Sequence, residues 1–162
     1  MKLSLINKSK TRLPKAFLEK WVGAVEAQLA KKGFPKALRG KTLTIVCLDK
    51  KSARNINKEF RGKDYATDVL SFDPIEPDSL GELILCPDVL KAQAKEHELA
   101  YQMELGYMVL HGILHLLGFE HEDDPEKAEE MFGLQDEIFD AISIRYVISR
   151  RPTHRKKKNR RS

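Results

Sequence analysis

The sequence has no hydrophobic run approaching the roughly 18 apolar residues that a membrane span needs. Its N-terminus, MKLSLINKSK, lacks the apolar stretch and the small-residue cleavage site of a secretory signal. Cysteine is scarce, because only Cys47 and Cys86 are present, far apart and outside any C-x-x-C pair. We therefore predict a cytoplasmic protein that makes no membrane contact and has two buried, reduced thiols.

Acidic residues are rare in two parts of the chain. Residues 1–63 contain 17 Lys and Arg against 4 Asp and Glu, and residues 149–162 contain 8 cations and no acid. Residues 64–148 reverse this balance, with 4 cations against 20 acids. Such blocks predict a basic face and a basic arm that bind a polyanion, beside an acidic region that favours cations. The alternative is that folding interleaves the basic and acidic segments, so that the electrostatic field at the surface averages out.

The C-terminal segment SRRPTHRKKKNRRS is of low complexity and has almost nothing to bury. We predict a single domain over residues 1–148, followed by a disordered basic tail over residues 149–162. Cations without an aromatic neighbour suit sequence-independent contact with RNA phosphates. The tail residues assigned to this contact are Arg150, Arg151, Arg155, Lys156, Lys157, Lys158, Arg160 and Arg161.

Helix-like and strand-like patterns alternate along the remainder of the chain. The segments KLSLIN, KTLTIVCL, DVLSF and SLGELILC have the composition of short strands. Helical spacing and capping residues predict helices over residues 14–33, 49–60, 87–98, 101–117 and 124–146. Four strands with helices between them predict an α+β fold, with one small mixed sheet packed against helices. The pattern leaves open which strands are parallel.

The segment HGILHLLGFEH, residues 111–121, holds three of the five histidines. His111 and His115 are four positions apart, so on a helix they share one face and both can reach a single metal ion. His121 can join them only if the helix stops, and Gly118 stands where the chain must turn back. Three imidazoles without a nearby fourth Cys or His favour a catalytic zinc site with one open position. The alternative is two packed helix histidines and one surface histidine.

The same spacing occurs in the metzincin peptidases, H-E-x-x-H-x-x-G-x-x-H, where the Glu after the first His is the general base. Here that position is Gly112, which has no side chain to accept a proton. The spacing therefore predicts a zincin-like site within the α+β fold, with the metal-binding helix in the second half of the chain, and disfavours peptidase chemistry.

The histidine segment also resembles the H-G-x-L-H-L-x-G-(Y/F)-x-H signature of the YbeY family of bacterial metal-dependent endoribonucleases. FRGKDYATDVLSF, residues 60–72, resembles the second block of that family, and Gly81-Glu82-Leu83 is a weaker third match. The resemblance covers about residues 43–121. It implies a hydrolase that uses one Zn²⁺ per chain to cleave single-stranded RNA. It also implies processing of the 3′ end of small-subunit rRNA, ribosome quality control, and contacts with the ribosomal subunit and ribosome-associated proteins.

The resemblance further implies that His111, His115 and His121 are the zinc ligands and that Arg61 is the functional arginine. A planar guanidinium suits two non-bridging oxygens of a phosphodiester, and Lys63 can serve the neighbouring phosphate as a point charge. The alternative for Arg61 is a surface salt bridge with Asp64 or Asp68. The proton-transfer group stays open among Glu82, Glu120, Glu122 and Asp123.

Other residues of these segments have structural interpretations. We expect Thr67 and Asp68 to make turn and cap hydrogen bonds, Phe72 to pack in the core, and His97 to face solvent. Two rival functions also remain. One is a zincin-type peptidase, which parallel incubations with casein and with single-stranded RNA would distinguish from a ribonuclease. The other is a ribosome-associated RNA-binding factor with a structural metal, which would keep its function after His115→Ala.

Overall fold

The structure is a computed structural model that describes residues 1–147. Every predicted strand and helix is present, and the short helix α2 is an addition that the sequence pattern did not predict. The predicted tail over residues 149–162, with its eight cations, lies outside the described residues. The elements in chain order are β1 (Lys2–Asn7), α1 (Lys15–Lys31), α2 (Pro35–Leu38), β2 (Thr42–Cys47), α3 (Lys50–Arg61), β3 (Val69–Phe72), β4 (Ser79–Leu85), α4 (Pro87–Glu96), α5 (Tyr101–Leu116) and α6 (Pro125–Val147).

The four strands form one mixed sheet in the order β1-β2-β4-β3. Strands β1, β2 and β4 are parallel, whereas β3 runs antiparallel to β4 at one edge. The α+β class and the small mixed sheet are therefore confirmed. None of the helices within residues 1–147 combines the length and apolar character of a membrane span.

Helices cover both faces of this sheet. Alternate residues of a strand point to opposite faces, so Leu43 and Ile45 of β2 join the large core made with α1, α5 and α6. Val46, the next residue along the strand, joins a smaller core with Ala53 of α3, on the opposite face. The histidine-bearing helix α5 and the basic helix α3 thus pack on opposite faces of the sheet.

Side-chain caps define two of the helix starts that the sequence predicted. The Asp49 carboxylate accepts a hydrogen bond from the Ser52 backbone N–H at 2.8 Å, so it is the N-cap of α3. The Asp124 carboxylate accepts from the Glu126 backbone N–H at 2.9 Å in the same way. Each cap satisfies a backbone donor that has no partner inside the helix.

Cys47 and Cys86 are buried free thiols, as predicted. Burial, with a smaller contribution from Cys86, raises the pKa of Cys47 to about 12. Phe72 is half-buried against the smaller core, and its ring contacts the exposed Phe60 ring with centroids 5.1 Å apart.

The prediction for His97 was wrong. This residue caps the C-terminus of α4, is only 8% exposed, and its Nδ1 lies 2.9 Å from Oε2 of the buried Glu104. The reason is the turn at Glu98, whose φ of 56° folds α5 back along α4 and places Glu104 against the histidine ring. A polar pattern along α4 alone could not reveal this pairing, because the partner comes from the next helix.

Candidate active site

The three histidines converge at the C-terminal end of α5. Gly118 has a φ of 96°, and its N–H donates to the His115 carbonyl at 2.9 Å, so α5 ends there and the chain reverses. This is the turn that the sequence predicted. It returns His121 towards His111 and His115, and one ring nitrogen from each lies within 4.8 Å of the other two. The three residues could therefore hold a metal ion.

Neighbouring groups set the proton positions on two of the rings. His111 Nδ1 lies 2.8 Å from Oε1 of Gln135, whose amide nitrogen donates to the Tyr107 carbonyl at 3.4 Å. The bond to Tyr107 uses the amide nitrogen of Gln135, so the amide oxygen faces His111. Since an amide oxygen can only accept a hydrogen bond, His111 Nδ1 must be the donor. His115 Nδ1 donates to the Phe119 carbonyl at 2.9 Å. Both Nε2 atoms then present lone pairs, although they lie only 3.1 Å apart. This donor set fits a cation held between the rings.

Burial also keeps these rings uncharged. It lowers the pKa of His111 to about 3, against the opposing effect of the bond to Gln135. Burial is the main cause of the lowered pKa values of His115 and His121 as well. Neutral imidazoles at neutral pH are in the protonation state that a metal ion requires, so no proton has to be removed before binding.

The histidines line a cleft of about 590 Å³ between α3, β3, α5 and the loop after α5. Arg61, at the last position of α3, lines the same cleft and forms an ion pair with Glu122. The two alternative partners are engaged elsewhere: Asp64 bonds Arg54 at 2.7 Å, and the buried Asp68 accepts from the Val69 N–H at 2.7 Å. Arg61 therefore faces the metal-binding residues, and Asp68 has the structural role expected of it.

Several carboxylates line this cleft. Of the four proposed proton-transfer residues, the structure brings Glu120, Glu122 and Asp123 to the cleft lining, whereas Glu82 pairs with Phe72 within the sheet. Asp73 also lines the cleft, and sequence reasoning missed it. Lys63 lies exposed on the loop that follows α3.

Gln135 is the other residue that sequence reasoning missed. It is fully buried on α6, more than twenty positions after His111. The available signal was a polar residue on the apolar stripe of a helix, since Met131, Ile138 and Ile142 share its buried face.

Gly112 packs directly against the sheet. A Cβ atom at this position would lie 2.5 Å from Cδ2 of the buried Leu83 in β4. A glutamate cannot occupy position 112 unless Leu83 moves, because this separation is far inside van der Waals contact. The glycine thus brings α5 close to β4 at the point where the peptidases carry their general base.

Comparison with known proteins gives a consistent result. The family model for Endoribonuclease YbeY matches residues 4–143. Endoribonuclease YbeY of Bdellovibrio bacteriovorus is 54% identical over 143 residues, which cover 88% of this chain and 95% of that protein. Its counterpart from Sulfurihydrogenibium sp. is 45% identical over 106 residues, covering 62% of this chain and 70% of that protein.

The fold has a solved relative as well. The solution structure of a Thermotoga maritima protein superimposes with a TM-score of 0.64 at 25% sequence identity, and the match covers 96% of this chain and 99% of that one. Together with the long match to the family model, these similarities show that the chain belongs to the YbeY endoribonuclease family.

Proposed function

We propose that this protein is a zinc-dependent endoribonuclease for single-stranded RNA, with one Zn²⁺ held by His111, His115 and His121. The observation that supports this most directly is the convergence of three neutral imidazoles on one side of a cleft that Arg61 also lines. Three nitrogen ligands leave a coordination position for solvent or substrate, as in catalytic zinc sites.

The chemistry that such an ion supplies is polarisation of a phosphoryl oxygen and activation of water. Arg61 binds two non-bridging oxygens of the scissile phosphate and stabilises the charge that builds on them in the transition state. Gln135 and the Phe119 carbonyl hold the rings of His111 and His115 in the tautomer that turns Nε2 towards the cleft.

Glu122 sets the resting position of Arg61. The two side chains form an ion pair across the cleft, and that of Arg61 is 29% exposed. An incoming phosphate has to replace the Glu122 carboxylate on the guanidinium, and Glu122 is then released beside His121. Arg61 is in this way oriented over the cleft before RNA arrives, at the cost of one displaced ion pair.

The biological substrate that we propose is the 3′ end of small-subunit rRNA, in rRNA processing and ribosome quality control in the cytoplasm. Lys63 binds a phosphate next to the scissile one. The predicted tail cations hold the RNA or the ribosomal subunit without sequence preference. Removing residues 149–162 is therefore expected to weaken RNA binding and reduce its salt dependence while leaving metal content unchanged.

The decisive experiment combines metal analysis with cleavage. Purified protein is expected to contain about one zinc ion per chain and to cleave single-stranded RNA in preference to duplex RNA. Chelator should abolish cleavage and added zinc should restore it. His115→Gln is expected to stay folded and bind RNA without cleaving it, whereas His154→Gln, a histidine change in the predicted tail, should behave as wild type.

Three results would contradict the proposal. A protein without stoichiometric transition metal that still cleaved RNA would remove the role of the histidines. A folded His115→Gln variant with full activity in cells would favour the RNA-binding factor, and hydrolysis of casein rather than RNA would favour the peptidase.

A further inference from the structure

A second groove, of about 670 Å³, runs along the outer side of α3, next to the active-site cleft. We call it the α3 groove. Its lining carries more positive than negative charge, because it has a single carboxylate, that of Asp64, and four exposed cations: Lys50, Lys51, Arg54 and Lys58. The exposed ring of Tyr65 lines the groove as well. Nothing in the proposed cleavage chemistry uses these residues.

The cations of the α3 groove lead towards the active site. Lys50, Arg54, Lys58 and Arg61 are separated by four, four and three positions, so they form one row along a helix face. From Lys50 to Arg61 this row rises about 16 Å along the helix axis. Its last member lines the cleft with the histidines. The row therefore joins the groove to the proposed site of cleavage.

The loop after α3 is folded to complete this groove. Gly62 takes the left-handed conformation, with φ 68°, and its N–H donates to the Lys58 carbonyl at 3.0 Å. The buried Asn57 side chain donates to the Tyr65 carbonyl at 2.8 Å, which fixes the loop against the helix. The phenol ring of Tyr65 is held beside the cations as a result.

Asp64 fixes the orientation of one of these cations. Both of its carboxylate oxygens accept from Arg54, at 2.7 and 3.1 Å, so the guanidinium is held in a forked geometry at the surface. Lys58 is farther away, 4.0 Å from Asp64. One carboxylate cannot balance the four cations, so the groove attracts anionic groups.

Exposed aromatic rings line both the α3 groove and the cleft. Tyr65 is 54% exposed in the α3 groove, and Phe60 is 62% exposed in the wall of the cleft. Phosphate-binding cations beside exposed aromatic rings are the chemistry that recognises single-stranded nucleic acid, whose unpaired bases stack on such rings. An acidic protein would use the charges but would leave the rings without a stacking partner.

We propose that the α3 groove binds the single-stranded RNA that flanks the scissile phosphate. Lys50, Arg54 and Lys58 contact backbone phosphates along the strand, and a base stacks on Tyr65. A stacked strand covers the length of the row in about five nucleotides. This role rests on the proposed function, because it takes the histidine cleft as the place of cleavage.

The test compares two triple variants of equal charge in the full-length protein. Lys50→Gln/Arg54→Gln/Lys58→Gln removes the row, whereas the control Lys20→Gln/Lys31→Gln/Lys36→Gln removes three exposed cations from α1 and α2. Binding of a fluorescent single-stranded RNA of about 12 nucleotides is measured by anisotropy, with chelator, over a range of salt concentrations. Circular dichroism confirms that both proteins are folded.

The row variant is expected to bind at least about tenfold more weakly at low salt. The slope of log K against log salt should become shallower by about 2, since each lost phosphate contact in a single strand contributes about 0.7. The control should follow wild type in both quantities. Tyr65→Ala should weaken binding at least about fivefold without changing the slope, and Tyr65→Phe should bind as wild type.

Cleavage adds a readout that depends on substrate length. With zinc present, the row variant should cleave a trinucleotide as fast as wild type does, because so short a substrate cannot fill the groove. It should lose kcat/KM on the longer RNA. Lys50→Gln/Lys58→Gln, which leaves the bond between Arg54 and Asp64 intact, should show the same pattern with a slope change of about 1.4.

Three results would overturn the proposal. One is that the row variant binds RNA with the affinity and salt slope of the control while the wild-type protein cleaves RNA normally; the cleavage function would then stand without this groove. Another is that RNA binding is unchanged but binding of a polyglutamate probe is lost, which would make the groove a docking face for acidic proteins. The third is an equal loss of activity on the trinucleotide and on the longer RNA.

Discussion

Replacing Gln135 with leucine tests whether the orientation of His111 controls the metal site. Gln135 Oε1 accepts the hydrogen bond from His111 Nδ1 at 2.8 Å, and both side chains are buried. Leucine fills a similar volume, so packing is largely kept, but it offers no acceptor. Without this bond the His111 ring can rotate or change tautomer, and its Nε2 lone pair no longer has to face His115.

The expected loss can be estimated for both states of the protein. Removing a group that orients a metal ligand typically lowers metal affinity by about 10- to 100-fold, which corresponds to about 1.4–2.7 kcal/mol. In the metal-free protein, a buried ring N–H loses an acceptor, which costs about 1–3 kcal/mol of unfolding free energy. Both quantities should fall together, because both depend on the bond between His111 and Gln135; loss of the longer bond from Gln135 to the Tyr107 carbonyl lowers the unfolding free energy further.

Zinc affinity is measured by competition with a chromophoric chelator, and unfolding free energy by urea denaturation of chelator-treated protein. Gln135→Glu keeps an acceptor opposite His111 Nδ1 and should retain zinc affinity. The matched control is Gln102→Leu, the same substitution on the exposed side of α5. If Gln135→Leu folded and bound zinc as tightly as wild type, the assignment of the His111 tautomer and its role would be wrong.

The close contact of Gly112 with Leu83 predicts that Gly112→Ala lowers thermal stability, since overpacking costs about 1–3 kcal/mol and outweighs a helix-propensity gain of about 1 kcal/mol. The control Gly133→Ala should instead raise thermal stability, because a Cβ atom there meets nothing within 4 Å. With its pKa raised to about 12 by burial, Cys47 should resist iodoacetamide in the folded protein and react only on unfolding, and modification of the native protein by mass spectrometry would contradict this. The pKa of His111 is about 6.5 in the unfolded state and is lowered to about 3 in the folded state. Below about pH 6.5 the folded state therefore binds fewer protons than the unfolded state, so stability decreases as the pH falls. Metal-free protein should therefore lose about 2 kcal/mol between pH 7 and pH 5 in urea titrations, and the loss should be smaller in His111→Gln.

Local patterns were sufficient to predict the parts of the site that are close in sequence. The four-residue step places His111 and His115 on one helix face, and Gly118 supplies the left-handed turn that returns His121. The caps at Asp49 and Asp124 are similarly local. Each of these features depends on backbone geometry within one or two turns of helix.

Features that depend on distant segments could not be predicted in this way. The insertion of β4 between β2 and β3 depends on pairing across the whole sheet, and hydrophobic periodicity carries no information on strand order. Gln135 reaches His111 only because α6 packs beside α5. The burial of His97 likewise depends on where α5 lies relative to α4. In each case the partner is chosen by tertiary packing.

The contact between α5 and β4 also bears on how this fold can evolve. A descendant that acquired glutamate at position 112 would carry a collision with Leu83, and one that first lost the bulk of Leu83 would carry a cavity in the core. Both single-step intermediates are less stable than their ancestor. Because only the double replacement avoids both penalties, this contact opposes a stepwise mutational path from this active site towards protein hydrolysis.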